Sequence, residues 1–372
     1  MQMQMQMART LSLLAFLVGF ANCAESDPVV GGSDIDDDPI VGEPCAQPPA
    51  FVEDVAGCAP LASDYRPRQN NSALDGWPAC ISDDNLYHRI EESVSSIARV
   101  AAYDEIVRVL WQNGPPSHQD FVVARVVFEE EQGLGSRVAR RFDPHFAAPT
   151  LGECEDEGVA AANPDYCVGP AVLQPSIVAA FADGAEGHNR IVNATVIEDA
   201  IRWFLYVSAI KEATTCTETA KDCDSAWAYY SGGAAREHPI GLASDIESLA
   251  TEAHNRAYDG LLAVRCWRDL DNGEVANNAT MRVQAIAQLD VALLRGMAVL
   301  IRRHFQLLEC STWDYQQAHL QALRLLVPLL DRESRARDAV VADLLLREIN
   351  GSADAADIST VLDAIDTTYP CP

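Results

Sequence analysis

Residues 275–308, VANNATMRVQAIAQLDVALLRGMAVLIRRHFQLL, read as one long helix with a continuous apolar stripe. Ile286, Leu289, Leu293, Met297 and Leu300 recur at spacings of three and four, which places them on one face of a 3.6-residue turn. A face of that kind must be covered by other helices. Upstream, the turn Asp271-Asn272-Gly273 separates this stretch from a second long helical pattern over 242–270. Further upstream, 191–213 sets Val196, Ala200, Phe204 and Val207 on one side. Ser82, Asp83 and Asp84 are placed to cap a helix running toward Trp111, and Gly114-Pro115-Pro116 stops it. Another helix opens near Ser117 and ends around Gly133, and further helical stretches run to about Thr367. Nothing long after Asp83 alternates as a sheet strand would, so the sequence predicts an all-α antiparallel bundle.

Cysteines and the N-terminus set the compartment. Residues 1–23 carry Arg9, an apolar segment over 11–21 and small residues at Ala21 and Cys23, the pattern of a signal peptide. Cys23 could alternatively be acylated as a membrane tether, with Asn22 counting against it. The other ten cysteines form an even set, which predicts full pairing into disulfides in an oxidising, extracytoplasmic compartment. Cys154 with Cys167 and Cys216 with Cys223 are the best local pairs, while a bridge between Cys266 and Cys310 is left undecided. The domain plan is then a signal peptide (1–23), an acidic flexible tether (24–44), a Cys-containing loop segment (45–82) and a helical domain (83–372).

The chain has 372 residues, 48% of them hydrophobic, enough for a real core, and no apolar run after the leader reads as long enough to cross a membrane. Its formal net charge of -28 repels nucleic acid and attracts cations. Only Lys211 and Lys221 are lysines; the other basic residues are arginines, suited to bidentate pairing with carboxylates. No HExxH, GxSxG or GxxxxGK signature is present, and no nucleophile is visible, so a non-enzymatic role is expected.

Three features could carry metal chemistry. Phe121 to Phe128 is apolar on nearly every side and runs into Glu129, Glu130 and Glu131, three residues that together span about 200° of a helix wheel. At least one should therefore point inward, toward either a metal or an arginine such as Arg137 or Arg140. Asp290 lies at the edge of the apolar stripe and must be paired or ligating. In DCDSAWAYYSGG, 222–233, Asp224 opens a helix and could be an N-cap or a ligand. His188 and His254 are the candidate nitrogen donors.

With these pieces placed, the chain resembles the low-iron-inducible periplasmic proteins of algae, the iron-assimilation proteins. The matching stretches are FEEEQGLGSRVARRFD (128–143), DCDSAWAYYSGG, the pair Asn277-Asn278 before a long helix bearing Leu294-Arg295-Gly296, a helix break at Val327-Pro328, and the ending Tyr369-Pro370-Cys371. The aromatic and acidic block around Asp224 is also similar to imelysin-like envelope proteins, although their GxHxxE motif is absent: Gly187 directly precedes His188, and Ile191 stands where the glutamate would be. The resemblance implies a helical, disulfide-containing, extracytoplasmic protein that captures iron. The expected function is iron or divalent-metal binding by inward carboxylates, with Glu130 and Asp224 converging on one site. The alternative is a non-catalytic envelope protein that binds another protein or a glycan.

Overall fold

The computed structural model describes residues 52–54, 56–67, 76–130, 133–270, 279–352 and 356–370. The leader, the tether, Cys23, Glu131 and Asn277-Asn278 lie outside them. All described residues belong to one compact unit, 42–372. They form thirteen α-helices and no strand: α1 (Ser95–Trp111), α2 (His118–Glu130), α3 (Leu134–Val138), α4 (Val159–Ala162), α5 (Gln174–Ala185), α6 (Arg190–Thr215), α7 (Lys221–Ser231), α8 (Leu242–Glu247), α9 (Thr251–Leu270), α10 (Ala279–Leu308), α11 (Trp313–Arg337), α12 (Ala339–Asn350) and α13 (Ile358–Thr368). The all-α reading holds.

The core follows the expected stripe. Leu289, Leu293, Met297 and Leu300 of α10 are buried, and Ile286 is half-buried at the stripe's end. The α10 helix packs along α9 and against α11, while α6 lies against α5, α7 and α11. Contrary to the sequence reading, α10 is long and apolar enough to cross a membrane by length and composition, but two-thirds of its most apolar window is buried inside the protein (67%). It is a core helix by packing. Gly260 of α9 permits the close approach: a Cβ there would lie 2.5 Å from the Cα of Leu289.

Local helix boundaries depart from expectation where distant groups supply the caps. The 242–270 pattern is two helices, because Glu53 reaches the start of α9 and accepts from the backbone N–H groups of Glu252 (3.0 Å) and Ala253 (2.8 Å). Ser82–Asp84 do not cap α1. They lie in a short 3-10 turn, Ile81–Asp84, which ends at Asn85 in the left-handed region, φ 68°, and α1 begins only at Ser95. Val327-Pro328 does not break a helix either: α11 runs through Pro328, with Val327 and Leu330 buried on either side of it. Packing there outweighs the lost backbone hydrogen bond.

Disulfides tie the parts together. Cys154–Cys167 and Cys216–Cys223 pair as expected, and Cys80–Cys266 joins the N-terminal segment to α9. Cys58 and Cys310 are disulfide-bonded as well. The chain therefore belongs in an oxidising environment. Beside the Cys80 link, Gln288 of α10 exchanges two hydrogen bonds with the backbone of Tyr65, at 2.8 and 3.0 Å.

The tight α9–α10 contact generates a test. Gly260→Ala should destabilise the fold by about 1–3 kcal/mol through overpacking against the Leu289 backbone, read as a lower urea midpoint with an unchanged slope.

Candidate functional site

The sequence-selected residues do not assemble into one site. On α2 the inward positions are Phe121, Ala124 and Phe128, so Glu129 and Glu130, one and two residues further on, rotate out to solvent. Glu129 pairs with Arg125 at 2.8 Å across one turn. Glu130 is exposed, and the expected inward convergence of Glu130 with Asp224 is corrected. Glu131 lies outside the described residues.

Asp224 is fully buried, but its carboxylate serves the backbone. It accepts from the N–H groups of Ile90 (2.9 Å) and Glu91 (2.8 Å) and from the Tyr87 hydroxyl (3.2 Å). It is not the N-cap of its own helix, which starts at Lys221. Instead it pins the extended segment ahead of α1, and Tyr87 stacks on Trp227 with ring centroids 4.6 Å apart. His254 is buried with both ring nitrogens engaged, Nδ1 with the Tyr230 hydroxyl (3.1 Å) and Nε2 with the Arg236 carbonyl (2.9 Å). Burial holds its pKa below the usual histidine value, so it is a neutral structural group. His188 is exposed beside Asp183, 3.3 Å away.

Asp290 is the exception. It meets His145, from the loop after α3, with Nε2 2.9 Å from Asp290 Oδ1. The other ring nitrogen, Nδ1, lies 2.6 Å from Asp143 Oδ1, and the same oxygen accepts from the His145 backbone N–H. Asp143 is itself fixed, because its N–H donates to the Tyr166 carbonyl at 2.7 Å. The imidazole lies nearly parallel to the Tyr206 ring, 6.3 Å between centroids. A cavity of about 200 Å³ opens beside them, lined by Asp143, His145, Tyr206, Arg324, Arg332 and apolar side chains including Trp203 and Pro328. Burial alone would lower the His145 pKa, but hydrogen bonds to Asp143 and Asp290 and their negative charge outweigh it and raise the pKa to about 9. Burial raises the Tyr206 phenol well above its ordinary value, and the charges of Asp290 and Asp143 add to the effect. Sequence reasoning missed His145 and Asp143; the only signal was the short Asp-x-His spacing in a loop.

A second polar centre lies along α6, one to two turns before Tyr206. Arg202 is clamped by Glu198, by Asp199 (2.8 Å) and by Asp245 (2.8 Å), and Tyr103 donates to Asp245 at 2.6 Å. Asp199 also faces His304 Nε2 at 3.2 Å, and His304 Nδ1 lies 3.1 Å from His319 Nδ1. Burial opposes the charge on Asp199, but His304 and Arg202 prevail and lower its pKa to about 2. Burial and the neighbouring His304 lower His319 to about 3, so it is neutral near pH 7. Glu198, Arg202, Asp245, His304 and His319 border a cavity of about 290 Å³ with Trp111 and Tyr315. Arg202 occupies the carboxylates that a cation would need.

Among the described residues, no three His, Cys, Asp or Glu side chains converge closely enough to enclose one ion. Comparison with protein-family models, curated proteins and solved structures gives no match to this chain.

Two tests follow from these geometries. Asp224→Ala should cost about 3 kcal/mol by leaving buried N–H donors unpaired, whereas Glu130→Ala should stay within about 0.5 kcal/mol; urea denaturation compares them. For His145 the folded pKa, about 9, exceeds the unfolded value, so its contribution is complete below about pH 6.5 and disappears as pH rises through 9. In chelator-treated protein, Tm should fall across that window, and His145→Asn should flatten the fall.

Proposed function

We propose that this chain is an extracytoplasmic metal-binding protein, with iron the favoured ion, and that His145 and Asp290 are its central protein donors. One observation carries the reading: His145 is held between two carboxylates that play different parts. Asp143 orients the ring through Nδ1, the arrangement that outer carboxylates adopt toward ligating histidines. Nε2 and Asp290 Oδ1 then stand 2.9 Å apart, near the separation of about 3 Å expected for adjacent ligands of an octahedral ion with bonds of about 2.1 Å. The Tyr206 ring lies nearly parallel to the imidazole, 6.3 Å between centroids, and walls the pair on one side. With two side chains supplying ligands, water or a small anion completes the shell.

The sequence supports this reading through the resemblance to the iron-assimilation proteins, the signal-peptide pattern and the acidic composition, which draws cations to the surface. Of the carboxylates that the sequence brings forward, Glu129–Glu131, Asp224 and Asp290, the geometry favours Asp290. Loading the site must displace the proton shared by Nε2 and Asp290, so metal uptake releases protons. The binding-protein alternative keeps one specific support, the exposed apolar side chains of Val122, Val123 and Val126 on α2.

Titration calorimetry with ferric and ferrous iron, joined to elemental analysis, tests the assignment. The double variant His145→Gln, Asp290→Asn should lose the site. Asp143→Asn should weaken binding about 10–100-fold by releasing the ring, and Glu130→Ala should leave it unchanged. Undiminished affinity in the double variant would remove the metal reading and put the α2 surface in its place.

A further inference from the structure

Both lysines of this chain line one cavity. It has a volume of about 460 Å³ and opens between the start of α1, the end of α6 and the start of α7. Lys211 precedes the Cys216–Cys223 disulfide and Lys221 lies within its loop; the bridge ties the end of α6 to the first turn of α7, and both lysines line the cavity. Arg99 and Arg137 join them from α1 and α3. Three acids also border the space, but two are already engaged. Glu212 is held by Arg141 at 3.0 Å as well as by Lys211, and Asp222 accepts from the Thr215 hydroxyl at 2.7 Å. Lys221 and Arg137 form no ion pair among the described residues. In a protein of net charge -28, this cavity concentrates positive charge.

The backbone and hydroxyl groups point to the same class of ligand. Helix α1 starts at the cavity with Val94 as N-cap, no side-chain cap and no acidic residue in its first turn. Its leading N–H groups therefore lack the anionic partner that helix N-termini favour. Ser96, in the first turn of α1, lines the cavity. A serine hydroxyl facing a polar cavity can donate to an acceptor oxygen. Remote acidic residues do not prevent this, since charges beyond about 8 Å are largely screened at physiological ionic strength.

We propose that this cavity binds a phosphate group, free or carried on a small organic body, held by Lys221, Lys211 and Arg137, with Ser96 and the α1 N-terminus donating to its oxygens. The volume exceeds that of a lone phosphate, leaving room for an attached body at the Ser93 and Thr219 rim. The site is separate from His145 and requires no metal.

Calorimetric titration of the metal-free full chain with inorganic phosphate and with glycerol 3-phosphate tests it. Saturable binding of either probe is expected, weakening as salt is raised. Equal binding of the two assigns free phosphate, and tighter binding of the ester assigns an organic ligand. The double variant Lys221→Gln, Arg137→Gln changes exposed side chains and should weaken binding at least about tenfold, with Ser96→Ala giving a smaller loss. Arg108→Gln, a surface cation paired with Glu105, is the control and should bind as the parent does. No saturable binding of either probe, full affinity in the double variant, or an equal loss in the control would each overturn the proposal.

Discussion

Helix α6 is buried along most of its length, and the charges in its buried stretch need partners inside the protein. Eighteen of its 26 residues are buried, Asp199 and Glu212 among them. Breaking one member of such a buried pair costs about 3–5 kcal/mol, comparable to a large part of a domain's net stability. The neighbouring elements are therefore bound to supply complements: Arg141 to Glu212, His304 to Asp199, and Asp245 to Arg202. This constraint fixes how α8, α10 and the loop after α3 sit against the central helix.

The same helix reaches all three polar cavities. Glu198 and Arg202 face the histidine pair, Tyr206 neighbours His145, and Lys211 stands at the basic cavity. Glu198, Arg202 and Tyr206 recur at one-turn intervals and so share one face at successive heights, whereas Lys211, five residues further on, is turned about 140° from Tyr206. The chemistry differs in each place because the partners differ. Arg202 occupies the carboxylates beside the first cavity, Asp143 and Asp290 each hold one ring nitrogen of His145 at the second, and Lys211 and the uncapped start of α1 border the third.

The N-terminal segment has a role that its irregular appearance hides. Glu53 caps α9, Gln288 grips the Tyr65 backbone, and Asp224 receives the amides of Ile90 and Glu91. Each contact joins residues more than a hundred positions apart. The sequence offered Asp224 as a ligand or cap because an acid near a helix start suits both roles, and nothing local indicated that the segment ahead of α1 folds over it. The α2 glutamates were misleading for a related reason. Three consecutive acids must span most of a helix wheel, yet the face they turn inward depends on the register set by Phe121 and Phe128.

By itself, the sequence determined what short-range physics controls. The 3.6-residue period of apolar side chains specified helices, and cysteines 7 and 13 residues apart were close enough to pair. The even cysteine count pointed to an oxidising compartment, and the edge position of Asp290 demanded a partner. Tertiary structure decided what depends on long-range juxtaposition: that the partner is His145, that α8 and α9 separate at a cap 199 residues away, that α11 continues through Pro328, and that two lysines share one cavity. A carboxylate's role is set by the groups within about 3–4 Å of it. In a helical bundle those neighbours come from other helices, whose register only packing fixes.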